Sequence, residues 1–241
     1  MARLKIDYGI DLGTTNSAIC RMEKGEPVVI KTDVLKDTMP SCVSFTKRKS
    51  VKAGKTALND MLSDKLRAFK AGKKEASNAY VEFKRTMGTD TKYTSTYMDR
   101  DYSSEELSAE VLKTLKSFVT DENISSVVIT VPAKFTVGQK TATLEAAKMA
   151  GFTKCELLQE PIAAAMAYGL STDSKDGIWM VFDFGGGTFD VSIIKSDGAG
   201  GFQVCATAGN SKLGGEDLTQ KVEEYVYDFL TRWSEEFDRL Q

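Results

Sequence analysis

The sequence predicts an α/β protein with mixed sheets flanked by helices, in which one structural unit occurs twice. Two Gly/Thr-rich turns support this prediction, at residues 11–16 and 183–190, and an aspartate introduces each of them. Apolar runs that are typical of strands lie on both sides of each turn. A repeated strand–turn–strand pattern indicates a duplicated half-domain.

Each turn is a candidate phosphate-binding site. Successive backbone N–H groups of such a hairpin form a concavity that suits phosphate oxygens, and glycine lets the backbone approach without a Cβ. The carboxylate before each turn, Asp11 or Asp183, is expected to face a divalent cation through water. A single copy could also be an ordinary hairpin, in which Asp, Gly and Thr are present only because they favour turns. Two copies predict a pair of clamps that close on one nucleotide.

The composition restricts the classes of function that the chain can perform. Its 241 residues suffice for one large or two small domains, and 41% hydrophobic and 27% charged content is ordinary for a globular protein. A net charge of −2 gives no indication of binding to nucleic acid or to an anionic membrane, since both attract positively charged proteins. Four scattered cysteines favour a reducing cytoplasm over a disulfide framework. Because histidine is absent, any chemistry must use carboxylates, lysine and bound Mg²⁺.

The first hundred residues predict strands followed by a helix. Gly25 and the prolines at 27 and 40 mark connections between apolar runs. The predicted elements are an antiparallel meander of strands at 5–10, 17–22, 28–31 and 41–46, a lysine-rich helix over 58–76 and an extended segment over 79–86.

The middle of the chain predicts alternating helices and strands. Ser103 and Glu106 form a capping-box pattern at the start of a helix that runs to about residue 120. The β-branched run 126–131 predicts a central strand buried on both faces. The elements predicted after it are a helix over 137–150 that ends at Gly151, a strand over 155–158 and an alanine-rich helix over 162–168, opened by Glu160-Pro161 and capped by Gly169.

The last part predicts three strands and a long helix. The strands are expected at residues 178–182, 191–194 and 202–208. The helix follows residues 214–217, and its apolar positions at 3–4 spacing are Leu218, Val222, Tyr225, Phe229, Trp233, Phe237 and Leu240. This stripe carries large aromatic residues, and no later segment of the sequence is available to bury them. We therefore expect a truncated piece of a longer protein. The alternative is a complete protein whose final helix folds back on its own core.

Several of these segments, in this order, resemble the nucleotide-binding domain of the 70-kDa heat-shock protein family, the DnaK-type molecular chaperones. The segments are GIDLGTTNS at 9–17, VPAKF at 131–135, QEPIAAAMAYGL at 159–170, FDFGGGTFDVS at 182–192 and LGGEDL at 213–218. The resemblance covers about residues 6–228. It implies two ribonuclease-H-like lobes of the actin-like ATPase type, with lobe I over 1–176, an inserted subdomain at about 51–100, and an incomplete lobe II over 177–241. A subdomain that clamps adenine and a peptide-binding domain would be missing.

The same resemblance implies roles for individual residues. Asp11 and Asp183 would hold hydrated Mg²⁺. Nucleotide contacts would come from Gly13, Thr14, Thr15, Asn16, Gly185, Gly186, Gly187, Thr188 and Gly215, and catalysis would involve Lys84, Glu160, Thr188 and Asp190. The family also uses the proline at position 132 in a switch that reports nucleotide state. Without the resemblance, Lys84 is a solvated lysine, Glu160 a helix cap and Pro132 a strand terminator. The chain departs from common family residues at Lys140 and Asn16, and neither departure removes a phosphate ligand.

The function implied is that of the ATP-binding and ATP-hydrolysing domain of a heat-shock chaperone, with ATP or ADP and Mg²⁺ as cofactors. Implied partners are client peptides, through a missing domain, with J-domain and nucleotide-exchange co-chaperones. Nucleic acid and membranes are not expected partners, and the expected location is cytoplasmic. We expect weak or no ATPase activity from these residues alone. The alternatives are an actin-like filament-forming ATPase, a catalytically silent interaction module and, as the least favoured, a sugar kinase.

Overall fold

The computed structural model describes residues 6–72, 77–168, 177–197 and 201–239, with side chains up to residue 233. Its strands are β1 (Tyr8–Leu12), β2 (Asn16–Glu23), β3 (Glu26–Val29), β4 (Met39–Pro40), β5 (Val43–Phe45), β6 (Val51–Ala53), β7 (Ala79–Tyr80), β8 (Tyr93–Ser95), β9 (Arg100–Tyr102), β10 (Ser126–Val131), β11 (Lys154–Gln159), β12 (Gly177–Phe184), β13 (Phe189–Ser196) and β14 (Phe202–Asn210). Its helices are α1 (Lys55–Lys70), α2 (Ser104–Ser117), α3 (Val137–Met149), α4 (Glu160–Ala167) and α5 (Gly215–Arg239), and a 3-10 turn lies at Phe83–Thr86.

The larger sheet is mixed and holds the first Gly/Thr turn. Its strand order is β11-β10-β1-β2-β3, and β4 pairs with β2 beside this path. β1 and β2 form an antiparallel hairpin around the turn, whereas β10 runs parallel to both β1 and β11. The parallel pair β10 and β11 is joined through α3, since parallel strands need a crossover connection.

The second turn belongs to a separate antiparallel sheet with the order β12-β13-β14. β12 and β13 form a hairpin in which Asp183 lies opposite Asp190. Asp11 occupies the same kind of position in the first hairpin, opposite Ala18. The predicted strand–turn–strand unit is therefore present twice, and the mixed α/β class is confirmed.

Burial is uneven along the chain. The buried hydrophobic cluster joins the larger sheet to α2, α3, β5 and the 3-10 turn. Ile10, Ile129, Leu107 and Leu112 are among its fully enclosed side chains. Most large apolar residues described in β12 and α5 are at least one-third exposed: Ile178, Trp179, Met180, Phe182, Phe184, Leu218, Val222, Tyr225, Val226, Tyr227, Phe229, Leu230 and Trp233. The core that stabilises the described chain therefore lies in its first part.

Two helix starts follow the capping-box rule. Ser103 caps α2, its hydroxyl accepts from the Glu106 N–H, and the Glu106 carboxylate accepts from the Ser103 N–H. Thr136 and Gln139 form the same reciprocal pair at the start of α3. Each pair satisfies two backbone donors that a helix start leaves free.

Several sequence predictions need correction. β10 is not buried on both faces, because buried and half-exposed residues alternate along it. The predicted extended segment 79–86 is a strand only at β7 and then forms the 3-10 turn, since Glu82 adopts a left-handed φ of 57° that ends the strand. The lysine-rich helix begins earlier than predicted, at Lys55, and ends at Lys70. The predicted cap Gly169 and the last stripe position Leu240 lie outside the described residues, as does the Phe237 side chain.

Replacing a core leucine should destabilise the protein much more than replacing an exposed one. Leu112 is fully buried in α2, so Leu112→Ala is expected to lower the free energy of unfolding by about 2–5 kcal/mol. Urea unfolding followed by far-UV circular dichroism measures this change. The matched control is Leu218→Ala, a 52% exposed leucine on α5, with an expected change within about 0.5 kcal/mol. Equal effects of the two variants would contradict the assignment of the core.

Candidate functional site

The two Gly/Thr turns face each other across one cleft of ≈520 Å³. Twelve residues singled out from the sequence line it: Asp11, Gly13, Thr14, Thr15, Asn16, Lys84, Glu160, Asp183, Gly185, Gly186, Gly187 and Thr188. The remaining wall comes from Thr130 and from three alanines of α4, Ala163, Ala164 and Ala167. Hairpins from two separate sheets thus present their turns to a single space.

The turns are in direct contact, and this contact requires glycine. A Cβ added to Gly186 would lie 2.1 Å from Thr15 Oγ1, and one added to Gly187 would lie 2.5 Å from Thr14 Cγ2. Real Cβ atoms do not approach other atoms so closely, so any other residue would push the turns apart. Thr15 Oγ1 is buried and has no hydrogen-bond partner among the described residues. A buried hydroxyl is rarely left unpaired, so this atom fits a ligand such as a phosphate oxygen.

Hydrogen bonds hold the shape of each turn. In the first turn the Gly13 N–H donates to Ser17 Oγ over 3.2 Å, and Ser41 Oγ donates to the Gly13 carbonyl over 2.8 Å. In the second turn the Gly185 N–H donates to the Thr188 carbonyl over 2.9 Å. The backbone of both turns is therefore held in place without a ligand.

A buried ion pair forms part of the wall of the cleft. Lys84 Nζ lies 2.7 Å from Glu160 Oε1, and the lysine is only 8% exposed. Burial raises the pKa of Glu160, the Lys84 ammonium opposes this rise, and the carboxylates of Asp11 and Asp183 add to it. Lys84 is therefore not a solvated lysine. Glu160 is not the helix cap either, because Gln159 occupies the cap position of α4.

Asp11 is oriented by a residue that sequence reasoning did not identify. Thr130 Oγ1 donates to Asp11 Oδ1 over 2.9 Å across the parallel pair β1 and β10. The available sequence signal was a single polar residue within the run 127–131. In the structure Thr130 occupies a half-exposed position between two buried neighbours. Among the described residues, no group of three or more His, Cys, Asp or Glu side chains could hold a metal ion. Two carboxylates with water and phosphate oxygens remain a suitable ligand set for Mg²⁺.

Two predicted site residues lie outside the cleft. Asp190 lines an adjoining space of ≈230 Å³, the rear cavity. The polar and charged residues that line the rear cavity are Thr14, Lys84, Arg85, Lys134, Gln139, Thr188, Asp190 and Ser211. Burial raises the pKa of Asp190, against the opposing effect of Lys134 and Lys84. Gly215 supports the second turn from behind, because its N–H donates to the Gly185 carbonyl over 3.0 Å.

Arg85 links the two parts of the site, and no sequence signal distinguished it from other basic residues. Its Nη2 donates to the Gly187 carbonyl over 2.6 Å and to Asp217 Oδ2 over 2.8 Å. Its Nη1 lies 3.1 Å from Glu82 Oε2. The arginine holds the pKa of Asp217 below its usual value. Consecutive residues of the 3-10 turn therefore point to different walls, Lys84 to Glu160 and Arg85 to the second turn and α5.

No helix in the described ranges combines the length and the apolarity needed to span a bilayer.

The Lys84–Glu160 pair should show strong energetic coupling. Lys84→Met and Glu160→Gln each leave one buried charge without its partner, so each should destabilise the protein. We expect the double variant to be less destabilised than the sum of the singles, by about 1–3 kcal/mol. Urea unfolding of all four proteins measures the coupling. The exposed pair Lys113 and Glu110 is the control, with an expected coupling below about 0.5 kcal/mol. A coupling near zero at Lys84 and Glu160 would show that the buried pair is not formed in solution.

The Arg85 contacts should affect nucleotide binding. Arg85→Lys keeps the charge, but one ammonium cannot reproduce the planar contact with both Gly187 and Asp217. We expect several-fold weaker MgADP binding, a similar loss for Asp217→Asn, and no further loss when the two are combined. Calorimetric titration checks this, with Arg67→Lys at an exposed α1 ion pair as the control. Additive losses would mean that Arg85 and Asp217 act separately.

Comparison with known protein families supports the resemblance seen in the sequence motifs. The family model described as Hsp70 protein matches residues 7–238. This match includes both hairpins, both turns and every residue of the cleft. The mixed α/β architecture is consistent with the nucleotide-binding domain of that family. The chain therefore belongs to the Hsp70 family.

Proposed function

We propose that the cleft binds ADP and ATP with Mg²⁺ and hydrolyses the terminal phosphate of ATP, as the nucleotide-binding domain of a heat-shock chaperone. The observation that carries this proposal is the pair of facing glycine turns with a buried lysine–glutamate pair beside them. Membership of the Hsp70 family independently supports nucleotide binding. Phosphoryl transfer asks a protein mainly to position the reactants and to stabilise charge, and these residues are suited to both tasks.

The turns would hold the phosphates. The backbone N–H groups of Gly186 and Gly187 and the hydroxyls of Thr14, Thr15 and Thr188 would be the donors. Gly13 and Gly185 would shape the turns, because their N–H groups donate to Ser17 Oγ and to the Thr188 carbonyl. The unpaired Thr15 hydroxyl supports this assignment, since a phosphate oxygen would satisfy it. Asn16 also borders the cleft, and Gly215 would act near the ribose while it supports the second turn.

Asp11 and Asp183 would hold hydrated Mg²⁺, which would neutralise charge on the phosphate oxygens when bound. Both residues line the cleft, one from each hairpin. Thr130 orients the Asp11 carboxylate by a hydrogen bond. The carboxylates also interact electrostatically with Glu160, and a bound cation would relieve that repulsion.

Lys84 and Glu160 would orient the attacking water. The Glu160 carboxylate can accept a hydrogen bond from water, and the Lys84 ammonium opposes the rise in its pKa that burial causes. The Lys84 ammonium can also contact an oxygen of the terminal phosphate. Thr188 would donate to the same phosphate. Asp190 would act from the rear cavity, where it interacts electrostatically with Lys84.

We also propose that the chain forms two ribonuclease-H-like lobes, lobe I over 1–176 with an insertion at about 51–100 and lobe II from 177. The paired hairpins β1–β2 and β12–β13, each with its aspartate, support this division. The described lining of the cleft has no aromatic side chain that could stack on a base. Phosphate and metal contacts would then supply most of the affinity, and turnover by this chain would be slow.

Interactions with client proteins, J-domain partners and nucleotide-exchange factors are proposed from family membership alone. A cytoplasmic location is likewise a proposal, and the free thiols of Cys20, Cys42, Cys155 and Cys205 support it.

Calorimetric titration with ADP and ATP, each with and without Mg²⁺, tests the proposed function. We expect micromolar, Mg²⁺-dependent binding that falls at least about tenfold in Asp183→Asn, because one metal-facing charge is removed. Asp228→Asn, an exposed carboxylate of α5, is the matched control and should bind as the wild-type chain does. A folded chain that binds neither nucleotide would refute the proposal. Binding that is equal with and without Mg²⁺ would refute the metal assignment.

A further inference from the structure

The rear cavity lies directly behind the nucleotide cleft. Its volume is ≈230 Å³, and it shares the side chains of Thr14, Lys84 and Thr188 with the cleft as a common wall. One water molecule occupies roughly 30 Å³ in the liquid, so the cavity has room for a tetrahedral oxyanion with several waters. The cavity is therefore a compartment next to the reacting phosphate, separated from it by three side chains.

The lining of the rear cavity is predominantly cationic. Lys84, Arg85 and Lys134 place three positive charges on the lining, and Asp190 places one carboxylate there. The carboxylates that pair with Lys84 and Arg85 lie outside the lining: Glu160, Asp217 and Glu82. Lys134 Nζ donates to the Gly209 carbonyl over 3.0 Å, which fixes the ammonium between β14 and the end of β10. Cationic groups with neutral donors form strong hydrogen bonds to phosphate-like oxyanions. The cavity therefore suits a small anion better than a neutral or cationic ligand.

The common wall is made of the groups that would surround the terminal phosphate. Thr14 comes from the first turn, Thr188 from the second, and Lys84 lies between them. Lys84 Nζ bonds Glu160 on the cleft side and lies 5.9 Å from the ring centroid of Phe135, which lines the rear cavity. A movement of this one side chain would connect the two spaces.

We propose that the rear cavity is a second anion site, which takes the inorganic phosphate produced by hydrolysis while ADP remains in the cleft. This inference rests on the proposed ATPase function. When water attacks the terminal phosphorus, a bond forms to the water oxygen, the bond to the bridging oxygen breaks, and ADP leaves with the electron pair. The product phosphate, H₂PO₄⁻, retains both protons of the water. The phosphate would then lie against the common wall. The rear cavity is the adjoining space with room and positive charge to receive it.

Gln139→Glu is the sharpest test, because it adds one negative charge to the rear cavity at constant size. The helix start should survive, since glutamate serves as well as glutamine at this position of a capping box. The matched control is Gln203→Glu, the same change at an exposed position of β14. Lys134→Met is a second variant, which removes a positive charge from the cavity.

The measurement is calorimetric titration of inorganic phosphate into each protein saturated with MgADP. We expect Gln139→Glu to weaken phosphate binding by about tenfold, the order expected for one like charge across a partly solvated cavity. Lys134→Met should weaken it as well. Gln203→Glu should leave it unchanged, and MgADP affinity should be the same in all four proteins.

The outcomes separate the two proposals. If the wild-type chain binds no MgADP, the proposed function fails, and phosphate titration of the nucleotide-free proteins still tests the rear cavity by comparing Gln139→Glu with Gln203→Glu. If MgADP binds but phosphate does not bind, or binds equally to all four proteins, the second anion site is wrong. If circular dichroism shows that Gln139→Glu is unfolded, Lys134→Met becomes the test. An unchanged phosphate affinity in Lys134→Met would then overturn the proposal.

Discussion

The contact between the two Gly/Thr turns is the constraint on which the rest of the site depends. Gly186 and Gly187 pack against Thr15 and Thr14 so closely that no Cβ fits between them. This contact brings hairpins from two separate sheets to the walls of one cleft. It also explains why the second turn needs successive glycines for packing. Aspartates at both hairpins reach a common space only because the turns touch.

The 3-10 turn is the second device that organises the site. Phe83 is buried in the core, and Thr86 is hydrogen-bonded to Tyr93 and Ser104, so the turn is anchored at both ends. Between these anchors, Lys84 and Arg85 diverge toward different partners. One short turn thus contacts α4 through an ion pair and the second hairpin through a guanidinium. A change in the distance between α4 and the second hairpin would alter the contacts of both Lys84 and Arg85.

Stability and site geometry have different sources in this protein. The enclosed core belongs to the first sheet with its helices, whereas β12 and α5 present much of their described apolar surface to solvent. The second part supplies one of the two turns of the cleft, while it contributes little to the buried core. Apolar surface of this extent is uncommon on a monomeric protein and is typical of contact surfaces. Hydrogen bonds of Arg85 and Lys134 join the two parts in addition to the contact between the turns.

The amino-acid sequence by itself determined the class of fold, most of the strands and helices, and the residues of both turns. Local chemistry explains this success, because β-branched runs, capping boxes and Asp-Gly-Thr turns act over a few neighbouring residues. The motifs also led to the Hsp70 family, which the family comparison confirms. Tertiary structure decided what depends on distant contacts. The left-handed Glu82 turned a predicted strand into the 3-10 turn, and Thr130 met Asp11 only through strand register. Arg85 could not be identified from the sequence, since its partners Gly187 and Asp217 lie more than a hundred residues away along the chain.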